Sequence, residues 1–338
     1  MTIPQVKIAP GYYVSQLIKG GWQTIGRSSE AVDDLLAFVR AGVTTFETAD
    51  TYAGGEELMG ALRTAARQQL PEEIGRSIKV HTRFTAPTTG PGPTAPTITE
   101  SIDRSLRRIG GERLDLVQLQ WWNLEVPGLI EAGLVLADLQ RQGKIGLIGA
   151  CNLGVNHLQA LLEAGVPVAT NQVLHSLVDR RAENRVASFC ATHDIGLMTF
   201  APLAGGFLSK SWHGATDPAD TDRPYSLEYR ALIEAGGGWK AHQSLLDALT
   251  SVAARHTVSV AQVALRWVLQ AGPGQAVLFG ASSPDRLAET LEVFDLALDA
   301  GDLATIEARG LRRSPLDVGE IERAPGSLMM QAIKDHVG

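Results

Sequence analysis

The chain has 338 residues, of which 44% are hydrophobic and 20% are charged, with a formal net charge of −7 and a sequence pI near 5.6. An acidic chain without a run of lysine or arginine disfavours binding to the phosphate backbone of a nucleic acid. Two cysteines, Cys151 and Cys190, are too few for a disulfide framework and lack zinc-ligand spacing, so no metal site is predicted. No signal peptide or membrane-spanning run is found, and we expect a cytoplasmic protein without a membrane partner.

Short β-favouring runs alternate with helical patterns along most of the chain. The run over 44–47 is the most informative, because it leads directly into Asp50, Tyr52 and paired glycines before a helical pattern begins. The alternation predicts seven or eight strands. The candidates are residues 14–17, 44–47, 78–82, 114–119, 145–150, 168–172, 196–200 and 276–279.

The helices between these strands are predicted from apolar residues at helical spacing. Ser29 is a candidate cap for the first helix, which Gly42 closes, and the second carries Leu58, Met59 and Leu62. The others are predicted over 97–108, 129–142, 155–164, 182–193, 245–256, 260–269 and 284–296. Residues 211–239 have weak periodicity and are interpreted as a long functional loop, and residues from about 314 as a partly ordered C-terminal extension.

Repeated βα units produce a parallel sheet with right-handed crossovers, which is either a closed barrel or an open doubly wound sheet. An open dinucleotide-binding sheet would show G-x-G-x-x-G directly after its first strand, and that pattern is absent there. The sequence therefore predicts a single α/β domain over residues 1–338, folded as a (β/α)8 TIM barrel.

Residues at the carboxyl ends of barrel strands meet at one face, where the sites of such barrels lie. Glu47 and Tyr52 can thus share a pocket, with a carboxylate beside a phenol. The other residues expected at this face are Trp22, Arg83, Gln120, Trp121, Trp122, Asn152, Gln172, Phe200 and the turn over 280–283.

At these positions the sequence resembles the aldo-keto reductase superfamily, from about Val14 to Leu296. The supporting motifs are FETADTY at 46–52, DLVQLQW at 115–121, GACN at 149–152, NQ at 171–172, APLAGG at 201–206 and GASSPDRL at 280–287 followed by Glu289. Each motif is weak alone, but six in the same order and spacing are specific. The resemblance implies an NADPH-dependent enzyme that reduces an aldehyde or ketone, or oxidises an alcohol.

The catalytic positions depart from the family pattern at three of four places. The proton-donating tyrosine is kept as Tyr52, whereas the aspartate, lysine and histidine positions hold Glu47, Arg83 and Gln120. A tyrosine, whose usual pKa is ~10, needs a nearby cation to stabilise its phenolate, and Arg83 can serve while Glu47 holds its guanidinium. Arginine stays charged and cannot relay a proton, and Gln120 can donate an N–H to a carbonyl but has no titrating group. A slow or specialised reaction is expected.

The cofactor positions are better preserved. By resemblance, Asn152 and Gln172 contact the nicotinamide carboxamide, with Cys151 where a serine is usual, and Phe200 stacks on the nicotinamide ring. Arg286 matches the contact to the adenosine 2′-phosphate, which favours NADP over NAD. Glu289 matches the adenine side, where Thr290 replaces the usual asparagine. The remaining expected cofactor contacts are Gly21, Trp22, Pro202, Leu203, Gly205, Gly280 and Ser282, and Trp121 and Trp122 are expected to wall the substrate pocket.

Two other functions stay open at this point. The barrel could catalyse a non-redox elimination or isomerisation, with Tyr52, Glu47 and Arg83 acting as acid, base and anion stabiliser. It could also be a regulatory subunit that binds NADPH with little turnover. The pair of Glu47 and Arg83 could itself be a stabilising ion pair without a catalytic part.

Overall fold

The computed structural model describes residues 3–24, 31–218 and 224–323 of the chain. Strands β1 (Gln5–Ala9) and β2 (Tyr12–Ser15) form a separate antiparallel hairpin. The next eight strands are parallel and close into a barrel, with each strand paired to its neighbour in the chain and the last paired to the first. They are β3 (Leu17–Gly20), β4 (Thr45–Glu47), β5 (Lys79–Thr85), β6 (Leu114–Gln120), β7 (Ile145–Cys151), β8 (Val168–Leu174), β9 (Gly196–Phe200) and β10 (Ala276–Phe279). The predicted (β/α)8 barrel is confirmed.

Helices connect the strands and cover the barrel. They are α1 (Ala31–Arg40), α2 (Gly55–Gln69), α3 (Glu72–Ser77), α4 (Ala95–Ile109), α5 (Leu129–Arg141), α6 (Val155–Glu163), α7 (Arg185–Thr192), α8 (Pro224–Ala235), α9 (Gly238–His256), α10 (Val260–Ala271), α11 (Leu287–Leu291) and α12 (Ala300–Glu307). None of the helices in the described part of the chain is both long and apolar enough to cross a membrane.

Helix α4 illustrates how the sequence builds these elements. Thr94 caps its first turn and forms a capping box with Thr97, which satisfies backbone N–H groups that have no partner inside the helix. Ile98, Ile102 and Ile109 recur at helical spacing and are fully buried. They belong to the large apolar cluster that also contains the outward-facing side chains of the barrel strands.

Strand register fixes which side chains point into the barrel. Gln120 on β6, Cys151 on β7 and Gln172 on β8 are aligned as direct partners across neighbouring strands. Since successive side chains of a strand point to opposite faces, these three share one level of the barrel, whereas Leu119 points towards the helices. The level lies at the carboxyl ends of the strands.

Several local predictions are corrected by the structure. The predicted strand over 14–17 is divided between β2 and β3, and the predicted helix over 284–296 is only α11 followed by a 3-10 helix, Glu292–Phe294. The segment 211–239 is not one irregular loop, because α8 and the start of α9 lie in it. Its residues 219–223, like the predicted cap Ser29, lie outside the described residues.

The segment after residue 314 is part of the barrel mouth as far as it is described. Glu322 is 2% exposed, and Arg323 donates hydrogen bonds to backbone carbonyls at the ends of β6 and β7. Residues 314–323 are therefore packed on the barrel rather than extending away from it. Residues 324–338 lie outside the part that the structure describes.

Candidate active site

A cavity of about 990 Å³ opens at the carboxyl ends of the barrel strands. Its lining includes side chains from the ends of β4, β5, β6, β7, β8, β9 and β10, together with residues of the turns that follow them. Seventeen of the nineteen residues predicted for the site lie in this lining. They are Trp22, Glu47, Tyr52, Arg83, Gln120, Trp122, Cys151, Asn152, Gln172, Phe200, Pro202, Leu203, Gly205, Gly280, Ser282, Arg286 and Glu289.

Two predicted residues do not line the cavity. Trp121 is fully buried, and its indole N–H donates to the carbonyl of Val126 at 2.9 Å, so it is a core residue and not a wall of the substrate pocket. Gly21 lies behind the cavity, where its backbone N–H donates to Glu47 Oε2 at 3.4 Å. A Cβ on Gly21 would come 2.5 Å from the carbonyl oxygen of Glu47, so this close approach requires glycine.

Tyr52, Arg83 and Glu47 form one contiguous group. The guanidinium of Arg83 donates from Nη1 to the Tyr52 hydroxyl at 3.3 Å, and its Nη2 forms an ion pair with Glu47 Oε1. Glu47 is the last residue of β4, Arg83 lies two residues before the end of the neighbouring β5, and Tyr52 sits in the turn that follows β4. The ring of Trp22 packs edge-on against the Tyr52 ring with 5.1 Å between centroids, which fixes the phenol in the cavity wall.

Burial and the contacts within this group shift the pKa values of its members in different ways. Burial raises the pKa of Glu47, which is 3% exposed, and the nearby Arg83 charge offsets this only partly. Burial also works against the charge of Arg83, but Glu47 and Tyr52 outweigh it and the pKa of Arg83 is raised. Arg83 therefore stays protonated and presents a fixed positive charge to the Tyr52 oxygen.

The side-chain amides of Gln120 and Gln172 lie beside this group and are available to bind a ligand. Both residues line the cavity, and neither amide nitrogen or oxygen has a hydrogen-bond partner among the described residues. Burying an amide without hydrogen-bond partners costs free energy. A ligand that forms hydrogen bonds with these amides would recover that free energy on binding. Between them lies Cys151, whose thiol pKa is raised by burial, which disfavours a role as a thiolate nucleophile.

Asp50 is a titrating group near the site that sequence reasoning left out. Its Oδ2 accepts the backbone N–H of Thr85 at 3.2 Å and the Ser101 hydroxyl at 3.4 Å, which ties the turn carrying Tyr52 to the end of β5. Burial raises the pKa of Asp50 to about 6, and its hydrogen bonds with Thr85 oppose the shift. Asp50 is visible in the FETADTY motif, but its burial cannot be read from the sequence.

The turn after β9 forms a second wall of the cavity. Ala201, Ala204 and Gly205 have positive φ angles of 57°, 47° and 64°, so the backbone turns sharply below Phe200. A Cβ on Gly205 would come 2.6 Å from the Tyr229 ring on α8, so glycine allows this ring to pack against the turn. Tyr229 and the neighbouring Glu228 also line the cavity, although the sequence placed α8 in a loop.

The far end of the cavity is formed by the turn after β10 and by α11. Arg286 forms a bidentate ion pair with Glu289, at 3.0 Å from Nε and 3.1 Å from Nη2, and the two side chains are 76% and 38% exposed. Gln262 of α10 donates to the Glu289 carbonyl at 2.7 Å and joins this wall. A fixed guanidinium at an open cavity edge is suited to binding a phosphate.

Asn152 directly follows β7 and has an unusual backbone conformation, with φ at 54°. Its side-chain oxygen accepts the Leu174 N–H at 3.3 Å, and its Nδ2 donates to Glu322 at 3.1 Å. The expected amide is thus at the cavity wall, but most of its hydrogen-bonding capacity is satisfied within the protein. No local sequence pattern indicates the contact with Glu322, which is 170 positions away.

The comparisons with known proteins agree with this architecture. The model of the aldo/keto reductase family matches residues 16–310. Methylglyoxal reductase DkgA of Escherichia coli O157:H7 is 26% identical over 307 residues, covering 89% of this chain and 91% of that protein. The NADH-specific methylglyoxal reductase of E. coli K12 is 24% identical over 292 residues, covering 80% and 84%.

A solved structure extends the similarity to the fold. The glycerol dehydrogenase AKR11B4 from Gluconobacter oxydans superimposes with a TM-score of 0.73 at 22% identity, covering 90% of this chain and 94% of that one. The family match spans most of the chain and includes every barrel strand described above. The chain therefore belongs to the aldo/keto reductase family, a family of oxidoreductases that act on carbonyl groups.

Proposed function

We propose that this protein is an NADP-dependent oxidoreductase that interconverts an aldehyde or ketone and its alcohol, with Tyr52 as the proton donor. The observation that carries the proposal is the hydrogen bond from Arg83 to the Tyr52 hydroxyl inside the cavity. A guanidinium at this distance stabilises the phenolate that forms when the tyrosine gives its proton to a carbonyl oxygen. Glu47 holds the guanidinium in place from the opposite side.

Gln120 is proposed to orient the carbonyl. Its amide lies at the cavity wall without a partner among the described residues, and its N–H can donate to a carbonyl oxygen. The amide stays neutral over the physiological range, so it aligns the substrate without supplying a proton. Tyr52 is then the sole acid of the proposed reaction, and Trp122 and Trp22 wall the space around it.

The polar side chains of the cavity support binding of a nicotinamide dinucleotide. When bound there, NADPH would be the source of the hydride that reduces the carbonyl. Gln172 and Asn152 are proposed to contact the carboxamide, and Phe200 presents a flat apolar face beside them. Arg286 is proposed to contact the adenosine 2′-phosphate, and Ser282 and Gly280 the neighbouring phosphate groups, because all three line the same end of the cavity.

A direct titration tests the proposal first. NADPH and NADH are titrated separately into the purified protein while the emission of its tryptophans is followed, since Trp22 and Trp122 line the cavity. Carbonyl substrates are then screened with the preferred cofactor, using Tyr52→Phe as the matched control that removes only the hydroxyl. We expect tighter binding of NADPH and turnover that the variant abolishes. Turnover that survives in Tyr52→Phe would refute the proton-donor role.

The substituted catalytic positions support a second candidate. Arg83 contacts both Tyr52 and Glu47, so the three side chains could also perform an elimination or isomerisation, with an acid, a base and a fixed cation. Such a reaction would need Glu47 to accept a proton and would not consume NADPH. Substrate conversion without a change in NADPH absorbance would favour this candidate, and NADPH binding without any conversion would favour a regulatory role.

A further inference from the structure

Asn152 is hydrogen-bonded to two residues that are far from it in sequence, Glu322 and Arg323. Its Nδ2 donates to Glu322 Oε1 at 3.1 Å, and its backbone carbonyl accepts from Arg323 Nη1 at 2.8 Å. Within its own neighbourhood, its backbone N–H donates to the Gln172 carbonyl at 2.7 Å, and its Oδ1 accepts from Leu174. These bonds engage every polar atom of Asn152 and leave one Nδ2 hydrogen without a partner among the residues that the structure describes.

Glu322 is itself held by a buried ionic network. Both its oxygens accept from the Arg181 guanidinium, at 2.7 and 2.9 Å, and Arg181 also pairs with Asp179 at 2.5 Å. Glu322, Arg181 and Asp179 are each less than 5% exposed. Arg181 and its hydrogen bonds keep the pKa of Glu322 low against the effect of burial, so Glu322 is a carboxylate acceptor for Asn152.

Arg323 binds the backbone at the ends of two neighbouring strands. Its Nε donates to the Trp121 carbonyl at 2.9 Å while its Nη1 reaches the Asn152 carbonyl, so one guanidinium joins the ends of β6 and β7. Gly319 lies directly beneath it with φ at +78°, and a Cβ there would collide with the Arg323 guanidinium and come 2.7 Å from the Asn152 carbonyl. The approach of the segment thus depends on a glycine at this position.

We propose that Glu322 and Arg323 are positioning residues, which fix the left-handed conformation of Asn152 and aim its remaining N–H at the nicotinamide end of the cavity. The inference rests on the proposed function, because it assigns that end of the cavity to a nicotinamide. An asparagine at φ 54° tolerates this conformation but is not confined to it, so external bonds are needed to hold it. Glu322 and Arg323 therefore contribute to dinucleotide affinity without touching the dinucleotide.

A double-mutant cycle tests the coupling. The dissociation constant for NADPH is measured by tryptophan quenching for wild type, Glu322→Ala, Asn152→Ala and the double variant. We expect Glu322→Ala to weaken binding about tenfold in the wild-type background and less than about twofold in the Asn152→Ala background. Equal effects in both backgrounds, or no effect in either, would overturn the proposal.

Matched variants separate positioning from stability. Asp317→Asn changes a carboxylate of the same segment that accepts from the Val155 N–H and not from Asn152, and we expect its NADPH affinity to stay within about twofold of wild type. Arg323→Lys keeps the charge but can reach only one of the two carbonyls, and should weaken binding about threefold. Glu322→Met keeps most of the side-chain volume, removes the oxygen that accepts from Asn152, and replaces Glu322→Ala in the cycle if the alanine variant does not fold.

The outcomes also distinguish this inference from the proposed function. A wild-type protein that binds NADPH but converts no carbonyl with Tyr52 in place refutes the function, and the cycle still decides the positioning role. If turnover depends on Tyr52 but the effects of the Glu322 and Asn152 variants on NADPH affinity are additive, only the positioning role is refuted. Absence of NADPH and NADH binding by the wild-type protein overturns both.

Discussion

The guanidinium of Arg83 lies 3.3 Å from the hydroxyl of Tyr52 and pairs with Glu47 on its other side. One fixed cation thus links an acid that can react to a carboxylate that is 3% exposed. If Tyr52 is the proton donor, as proposed, losing the first contact should slow the reaction and losing the second should destabilise the fold. Measuring activity and stability separately therefore distinguishes a catalytic ion pair from a purely structural one.

Removing the cation should therefore reduce activity and stability together. We expect Arg83→Met to lower kcat by about 100-fold, through loss of phenolate stabilisation. It should also lower the free energy of unfolding by about 3–5 kcal/mol, since Glu47 is left as an unpaired buried acid. Steady-state kinetics and urea denaturation measure the two effects. The double variant Arg83→Met/Glu47→Gln should recover most of the stability and none of the activity, and a fully active double variant would show that the pair is only structural.

Replacing Gln120 should lower the efficiency with which the carbonyl substrate is converted and leave the affinity for the cofactor unchanged. We expect Gln120→Leu to lower kcat/KM for the carbonyl by about tenfold to 100-fold, because one hydrogen bond to the developing charge is lost. The dissociation constant for NADPH should stay within about twofold. Gln118 is the matched control, since it lies two residues earlier on β6, is equally buried and does not line the cavity. A similar loss of kcat/KM in Gln118→Leu would argue against a specific role for Gln120.

The ion pair between Arg286 and Glu289 should set the choice of dinucleotide. We expect Arg286→Ala to weaken NADPH binding about tenfold and NADH binding less than twofold, because only NADPH carries the 2′-phosphate. Glu289→Gln should strengthen NADPH binding, since Glu289 competes with that phosphate for the guanidinium. Arg255→Ala is the control, as it removes an exposed arginine that pairs with Asp302 outside the cavity. Equal weakening of both dinucleotides in Arg286→Ala would contradict this assignment.

Asp50 should make stability depend on pH. Its folded pKa of about 6 lies above the ordinary 3.8, so the folded state holds the proton more tightly than the unfolded state. This contribution is fully present below about pH 4 and is lost as the pH rises through about 6. Asp50→Asn should therefore match wild type near pH 4 and exceed it by up to about 2 kcal/mol at pH 8, measured by urea denaturation. Asp138→Asn, at an exposed carboxylate, should change stability by less than about 0.5 kcal/mol at either pH.

The barrel and most of the cavity lining followed from the sequence because they depend on local patterns. Strand runs followed by polar residues identified Glu47, Arg83, Gln120 and Gln172, and the closure of the sheet brought them together. Trp121 was misplaced because side chains alternate along a strand. Gln120 points into the barrel, so the next residue points away from it.

The parts that could not be predicted depend on contacts between distant residues. Glu322 and Asn152 are 170 positions apart, and neither has a local signal for the other. Helix α8 was missed because its apolar residues form only a weak helical pattern, and it is held by packing, as where Tyr229 meets Gly205. The burial that raises the pKa of Asp50 likewise comes from tertiary structure and not from the FETADTY motif.

The bonds between residues 317–323 and the ends of β6 and β7 also have a consequence for synthesis in the cell. During translation the eight barrel strands leave the ribosome before Glu322 and Arg323 do, so the sheet can close while Asn152 is still unsupported. A premature stop codon shortly before residue 317 would then yield a chain with every strand but an incomplete pocket. Such a product would escape detection by any assay that reports only secondary structure.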